Sequence, residues 1–126
     1  MKLEDKDLLL KDLCARLPYG VKCEVYNRIG VLDEVTTFYG VGVTYSNGQD
    51  TTCRIDECKP YLFPLSSMTE EQTKIYLKLE AMCILSSTDK IGPKIEFFDW
   101  LDRNHFDYRG LIEKGLAIDA TNLNIY

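Results

Sequence analysis

The densest group of residues able to do chemistry surrounds His105, the only histidine of the chain. A carboxylate, a phenol and a guanidinium follow it within four positions, from Asp107, Tyr108 and Arg109. In a general-base arrangement, Asp107 or Glu113 would orient His105 while Arg109 stabilises an anion. The same side chains also suit ligand binding without turnover. We therefore take His105, Asp107, Tyr108 and Arg109 as candidate ligand-binding residues.

A purely structural role fits this segment as well. Asp107 can cap a short helix, Arg109 can pair with Glu113 at a spacing of four, and Phe106 can fill the core. No Gly-x-Ser-x-Gly elbow and no glycine-rich phosphate loop accompanies the segment. We therefore predict no catalytic residue, no cofactor and no enzymatic activity.

Tyrosines and phenylalanines in and beside the predicted strands form a second candidate surface. They are Tyr26, Phe38, Tyr39, Tyr45, Tyr61 and Phe63. If some of them line one groove with Arg28 or Arg54, a nucleotide could stack on a ring while the guanidinium binds its phosphate. We take Tyr39, Tyr61 and Arg54 as candidate ligand-binding residues here. The same rings could instead fill the core or anchor a protein partner.

Charge and hydropathy exclude several classes of protein. The 126 residues include 15 Lys and Arg against 20 Asp and Glu, a formal charge of −5 without a basic stripe. Such a chain repels the nucleic-acid backbone, so we expect no DNA partner. No apolar run reaches the roughly 20 residues that span a bilayer, and charges interrupt the leucines of residues 1–13. These features predict a cytoplasmic protein without a membrane partner.

Five cysteines give no metal or disulfide signature. There is no Cys-x-x-Cys pair, and the number is odd. We predict no metal site. Cys14, Cys23, Cys53 and Cys83 lie in phase with aliphatic neighbours and are predicted to take small apolar core positions in a reducing compartment.

The first half of the chain predicts one helix followed by short strands. Leucines at spacings of three and four predict an amphipathic helix that Asp5 caps and that Pro18 and Gly20 end. Alternating and β-branched segments then predict strands, with Asn47-Gly48 as a hairpin turn. The predicted strands cover residues 21–25, 29–36, 38–45 and 51–55.

The second half predicts helices. Thr69 and Gln72 form a capping box at the start of one helix, and Pro93 suits the first turn of another. Asp107 is predicted to cap a short helix over 108–114 that Gly115 ends.

Together these elements predict one α+β domain over residues 1–126. An N-terminal helix (1–20) precedes a small antiparallel SH3-like barrel or meander (21–65) and a section of C-terminal helices (66–126).

Several segments resemble a family of small uncharacterised proteins encoded by phages and mobile elements of gut bacteria. They are the stretches 8–21, 56–62 with 66–71, Trp100-Leu101 and 104–112. The chain departs from this family at Phe63, where its members usually carry arginine. The resemblance implies a phage-related context inside a host cell, in which small acidic proteins often act as inhibitors or sponges of host defence.

The sequence thus favours a non-enzymatic binding protein that modulates or inhibits a host defence system, in one version by sequestering a nucleotide signal. Its partner would be a nucleotide-type small molecule or a host protein. One alternative is a protein adaptor or inhibitor that acts through an aromatic surface around Phe97, Phe98 and Trp100. A second is a small hydrolase or nuclease centred on His105. A homo-oligomer is compatible with each, because a chain this short can complete its core across a two-fold axis.

Overall fold

The computed structural model describes residues 1–85 and 91–126, which form an α+β arrangement. The α-helices are α1 (Leu3–Arg16), α2 (Glu70–Leu85) and α3 (Gly92–Arg103). The strands are β1 (Lys22–Val25), β2 (Arg28–Val35), β3 (Gly40–Tyr45), β4 (Asp50–Arg54), β5 (Cys58–Pro64), β6 (Phe106–Asp107) and β7 (Ile118–Asp119).

The strands form one mixed sheet in the order β4-β3-β2-β1-β5-β6, with β7 also paired to β5. Strands β1 to β4 make an antiparallel meander, as predicted, and β5 runs antiparallel to β1. The described strands do not close into a barrel, so the barrel form of the prediction is wrong. To close a barrel, the outer edge of β5 would have to pair with another strand of the meander. In the structure β6 and β7 pair in parallel with β5 at that edge. The section 66–126 therefore contributes strands as well as helices.

Local turn chemistry sets the limits of the strands. At the predicted Asn47-Gly48 hairpin, the Tyr45 amide donates to the Gln49 carbonyl at 2.8 Å, and Gly48 has a φ of 86°. Strand β3 begins at Gly40 rather than at Phe38, because Tyr39 adopts a φ of 62° that a strand cannot contain.

Helix α1 packs on the sheet and completes the larger core. Leu9 and Leu13 have no solvent exposure, and they contact the inward-facing residues of the first strands. The prediction that Asp5 caps this helix is wrong, because α1 already begins at Leu3 and its cap position, Lys2, makes no side-chain capping bond.

The predicted start signals of α2 and α3 are confirmed. The Gln72 amide donates to Thr69 Oγ1 at 3.1 Å, and the Thr69 amide donates to Gln72 Oε1 at 2.9 Å. Pro93 lies in the first turn of α3.

A smaller core joins α2 and α3 to the end of the sheet. Its buried members are Leu79, Phe97, Trp100, Leu101 and Phe106. The aromatic surface named in the adaptor hypothesis is therefore mostly interior: Phe97 and Trp100 are buried, and Phe98 is 44% exposed.

The predicted short helix over 108–114 is absent. Gly110 adopts a φ of 72°, which interrupts helical geometry, and the segment forms turns instead. Gly115 does adopt the predicted left-handed conformation, with a φ of 73°. Buried Leu111 and Leu116 anchor these turns on the larger core.

The cysteines divide differently from the prediction. Cys23 and Cys58 are fully buried, whereas Cys53 and Cys83 are partly buried. The prediction of a core position for Cys14 is wrong, because it lies on the outer side of α1 and is exposed.

Candidate functional site

A cleft of about 450 Å³ opens between the end of β5, the start of α2 and the turn that follows α3. Its volume lies within the roughly 300–1,000 Å³ that is typical of small-molecule sites. Its walls are Phe63, Ser67, Thr69, Gln72, Arg103, Asn104, His105, Phe106 and Tyr126. Of the candidate ligand-binding residues predicted from the sequence, His105 alone lines it.

Backbone bonds fix His105 at the end of α3. Its amide donates to the Asp102 carbonyl at 3.1 Å, and its carbonyl accepts a bond from the Phe63 amide at 2.8 Å. Its φ is 62°, a left-handed conformation that is uncommon outside glycine and asparagine. The chain reverses here from α3 into β6, so the ring is presented to the cleft.

The imidazole of His105 stacks on the ring of Tyr126, with centroids 3.9 Å apart and planes 14° apart. Its Nδ1 is buried, and no described residue hydrogen-bonds to it. Burial, together with the positive charges of Arg16 and Lys22, lowers the pKa of His105 to about 4. The ring is therefore neutral at physiological pH, with one nitrogen able to donate and the other to accept.

Tyr126 is held in place by contacts with the neighbouring strands β1 and β5. Its hydroxyl donates to the Tyr61 carbonyl at 2.8 Å and accepts a bond from the Lys22 amide at 2.8 Å. The Lys22 ammonium also donates to the Ile125 carbonyl at 2.6 Å. Burial raises the pKa of the Tyr126 phenol. Sequence reasoning did not find this residue, because nothing near it in the chain indicates that it pairs with His105.

The rim of the cleft carries the guanidinium of Arg103, and two acids lie nearby in the chain. Arg103 is exposed and forms no ion pair with any residue that the structure describes. The first turn of α2 brings Glu70 and Glu71 next to the lining residues Thr69 and Gln72. Asn104 donates through Nδ2 to the Trp100 carbonyl at 2.8 Å, which leaves its side-chain oxygen as an acceptor.

Arg109 belongs to a buried ionic network instead of the cleft. Its guanidinium donates to Asp12 Oδ1 at 3.0 Å, and Arg16 donates to Asp12 Oδ2 at 2.8 Å. Asp12 and Arg16 have no solvent exposure. Arg16 also donates to the Phe106 carbonyl at 2.6 Å, so the network ties α1 to the strand that follows the cleft. The expected Arg109–Glu113 pair is replaced by this longer-range contact.

Tyr108 closes the same network. Its hydroxyl donates to Asp102 Oδ1 at 2.6 Å and accepts a bond from Arg109 at 2.9 Å. Burial raises the pKa of Tyr108, and the nearby Asp102 raises it further. Burial also raises the pKa of Asp102, against the opposing effects of the Tyr108 hydrogen bond and two arginines. The phenol is thus committed to structural bonds.

Asp107 binds backbone amides as a capping residue does, but those amides belong to a turn and not to the helix that was predicted. Its two carboxylate oxygens accept bonds from the Leu111 amide at 2.9 Å and the Ile112 amide at 3.0 Å. It does not orient His105, whose ring contacts Tyr126. Asp107 therefore does not form the carboxylate–His105 pair that general-base chemistry requires.

The remaining predicted ligand residues lie elsewhere. Tyr39 donates to Asp7 Oδ1 at 2.5 Å, and its carbonyl accepts a bond from Ile55 at the end of β4. Arg54, beside it, pairs with Asp56 and Glu57 at 3.5 and 3.4 Å. The predicted set therefore does not converge on one site.

Tyr61 is buried in β5, with its hydroxyl 3.4 Å from a Glu24 oxygen. Only its carbonyl, which accepts the Tyr126 hydroxyl, connects it with the cleft.

The sequence offered a groove in which tyrosine rings and Arg28 or Arg54 bind a nucleotide, and the structure brings Tyr26, Arg28 and Tyr45 together. The Arg28 guanidinium lies 3.8 Å from the centroid of the Tyr45 ring, in an open depression beside Tyr26. The guanidinium therefore covers one face of the Tyr45 ring, whereas Tyr26 is 54% exposed.

Comparison with known proteins identifies no relative. No family model matches the chain, and no curated protein or solved structure gives a significant match. Residues 1–85 and 91–126 contain no cluster of three side chains able to hold a metal ion. No helix in these ranges has the length and apolarity needed to cross a membrane.

Proposed function

We propose that this protein is a non-enzymatic binding protein that takes up a planar small molecule of the cyclic-nucleotide class in the His105 cleft. The observation that carries the proposal is the buried Nδ1 of His105, which has no described hydrogen-bond partner, on a residue that lines a cleft with aromatic walls. A buried polar atom without a partner costs about 1–3 kcal/mol. A ligand that supplies this bond recovers that energy on binding.

The shape of the cleft supports a flat ligand. Phe63 lies 5.7 Å from Tyr126 and 6.4 Å from Phe106, measured between ring centroids, so rings form several of its walls. Aromatic walls favour a heteroaromatic base, because stacking stabilises any flat π-system. The free oxygen of Asn104 and the neutral imidazole supply polar contacts at the edge of such a base.

The charges around the cleft support a ligand with one negative charge. Arg103 provides a single guanidinium for a phosphate, and the neutral His105 adds no second positive charge. Glu70 and Glu71 stand at the start of α2 and repel a polyphosphate. A cyclic mononucleotide has one negative charge, whereas a nucleoside triphosphate has several, so we expect the cleft to prefer the cyclic mononucleotide.

The resemblance to phage-encoded proteins supplies the biological setting of this proposal. A phage protein that binds a cyclic nucleotide and releases it unchanged would deplete a signal that activates host defence. The position of Asp107, bonded to backbone amides instead of to His105, supports capture without turnover.

Isothermal titration with a panel of cyclic mononucleotides, nucleoside monophosphates and triphosphates tests this function. We expect saturable binding of a cyclic mononucleotide and at least about tenfold weaker binding in Arg103→Ala, since a charge-assisted bond contributes about 1.5–3 kcal/mol. Lys11→Ala removes an exposed cation from the outer side of α1 and serves as the matched control. Mass spectrometry of the released ligand should show an unchanged molecule.

Two results would overturn this proposal. The first is a flat titration across the whole panel. The second is binding that Arg103→Ala and Lys11→Ala leave equally intact, because the ligand would then bind outside the cleft.

A further inference from the structure

The α2–α3 hairpin exposes an unusual amount of apolar surface. Eight large hydrophobic side chains of these helices and of Ile91, the residue before α3, are between 43% and 83% exposed. They are Ile75, Leu77, Met82, Ile84, Leu85, Ile91, Ile95 and Phe98. We call this set the hairpin surface.

The exposure arises because, among the described elements, α2 packs mainly on α3. Its inner side, with Tyr76 and Leu79, packs on α3, where the rings of Tyr76 and Phe97 lie 5.4 Å apart. The remaining sides of α2 carry apolar residues where a helix on the surface of a monomer carries polar ones. Exposure increases toward the end of the helix, to 72% at Ile84 and 83% at Leu85.

The spacing of these residues is that of a helix-packing surface. Ile91, Ile95 and Phe98 follow one another at intervals of four and three, and they form one stripe along α3. Leu77 and Ile84 are seven positions apart, which places them two turns apart on the same side of α2. Stripes of this kind pack against other helices.

We propose that the hairpin surface binds the hairpin of a second copy of this chain, which makes the protein a homodimer. Two hairpins that bury such stripes against each other form a four-helix arrangement, and a two-fold axis closes it. Ile75 and Met82 lie on the opposite side of α2 from Leu77 and Ile84, so about six of the eight side chains can share one interface. Six side chains of about 200 Å² each, roughly half exposed, present on the order of 600 Å² of apolar surface, which suits an interface of roughly 800 Å² per partner because polar atoms make up the rest of such an interface.

The charges on the same helices argue against a membrane as the occupant. Glu70, Glu71, Glu80, Glu96 and Asp99 outnumber the lysines and the arginine of these two helices. Peripheral membrane helices carry lysine and arginine beside the apolar stripe, because anionic lipids attract them. A protein surface of matching apolar character is the occupant that these residues fit.

Sedimentation velocity over a wide range of protein concentrations tests the dimer. We expect the parent protein to sediment as a dimer, and the double variant Ile84→Glu with Ile95→Glu to sediment as a monomer. Burying these charges should raise the dissociation constant by at least about 100-fold. Both side chains are more than half exposed, so the variant monomer should keep its fold, with unchanged near-ultraviolet dichroism from the buried Trp100.

Phe38→Glu is the matched control, because Phe38 is 91% exposed and lies between β2 and β3, outside the hairpin. It should remain dimeric. A parent protein that is monomeric at every concentration overturns the proposal, whether or not it binds another protein. A dimer that persists in the Ile84 and Ile95 double variant also overturns it, since the interface would then lie elsewhere.

Discussion

The sheet with α1 and the α2–α3 hairpin bury their apolar side chains to very different degrees. In the sheet region, Leu9, Leu13, Val21 and Val25 have no exposure. In α2, Leu79 is the single buried member of the helix. Apolar composition alone therefore does not make a core, because a helix buries its apolar side chains only where neighbouring elements cover them.

The difference follows from the number of elements that each helix contacts. Helix α1 lies against the sheet and is tied by Asp12 to Arg109, 97 positions away. Among the residues that the structure describes, helix α2 packs mainly on α3, with Phe106 of β6 in the core that they share. The sheet region thus completes its own core, whereas the hairpin leaves surface for a partner.

Removing Asp12 should give the largest loss of stability. In Asp12→Ala, both Arg16 and Arg109 lose their carboxylate, and a buried guanidinium without a counter-charge is costly. We expect the free energy of unfolding to fall by about 3–5 kcal/mol in urea denaturation.

The contrasting variant is Arg54→Ala, which removes exposed ion pairs. Its side chain is 79% exposed, so we expect a change within about 0.5 kcal/mol. If the two variants were equally destabilised, the buried network would not be the link that holds α1 in place.

Matched leucine truncations compare the two regions directly. Leu13→Ala opens a cavity in a fully buried site and should cost about 3 kcal/mol. Leu85→Ala, at a site 83% exposed, should cost less than about 0.5 kcal/mol when unfolding is followed at concentrations too low for dimers. Equal costs at low concentration would mean that the hairpin is packed within one chain, contrary to the comparison.

Acid should destabilise the protein at His105, which lies between α3 and β6. The pKa of His105 is lowered from its ordinary value of 6.5 to about 4 in the folded protein, so the unfolded chain binds the proton first as pH falls. The contribution of the neutral His105 ring to the free energy of unfolding is complete above about pH 6.5 and is lost as the pH falls toward 4. With the solvent-exposed part of the ring taken into account, the loss should be roughly 2 kcal/mol.

The measurement is the free energy of unfolding at several pH values between 7 and 4, for the parent and for His105→Asn. Asparagine tolerates the positive φ at this position but does not titrate in this range. The acid-dependent loss should shrink by about the same 2 kcal/mol in the variant. An identical pH profile in both proteins would assign the acid sensitivity to other groups.

The smallest expected effect concerns the cap of α2. Thr69→Ala removes the hydroxyl that accepts the Gln72 amide and should lower the free energy of unfolding by about 1 kcal/mol. Thr69→Ser keeps the hydroxyl and should stay near the parent value. Because α2 packs mainly on α3, the amide hydrogens of its first turns should also exchange with solvent faster in Thr69→Ala. The amide hydrogens of α1 should keep their exchange rates. Faster exchange in both helices would show that the two regions unfold together.

Short-range signals predicted much of the fold. The Thr69 box, the proline of α3, the Asn47-Gly48 hairpin and the antiparallel meander depend on residues a few positions apart, and the structure contains each of them. Asp107 was correctly given a capping role, although the chain around it forms turns instead of a helix. At Tyr39 and Gly110, one positive φ ends the regular backbone, and the predicted strand and helix limits were misplaced there. The start of α1 was misplaced as well.

The candidate site was predicted less completely. Sequence reasoning found His105 from its residue type, but it grouped the residue with Tyr108 and Arg109, whose side chains bind the network of Asp12 and Asp102. A signal for this network existed: Asp12 and Arg16 lie four positions apart beside the leucine stripe of α1. Charged residues in phase with a buried stripe indicate an internal ion pair, because burial of either residue alone is unfavourable.

The sequence by itself determined the local elements and the balance of charge, since capping, turn geometry and periodicity act between residues close in the chain. Only the tertiary structure decided that Tyr126 stacks on His105, that β6 and β7 pair with the outer side of β5, and that α2 packs mainly on α3. These outcomes depend on contacts between residues as many as 104 positions apart, as from Lys22 to Tyr126. Residue types do not specify such pairings, because the same tyrosine or leucine stabilises whichever surface the assembled chain brings against it.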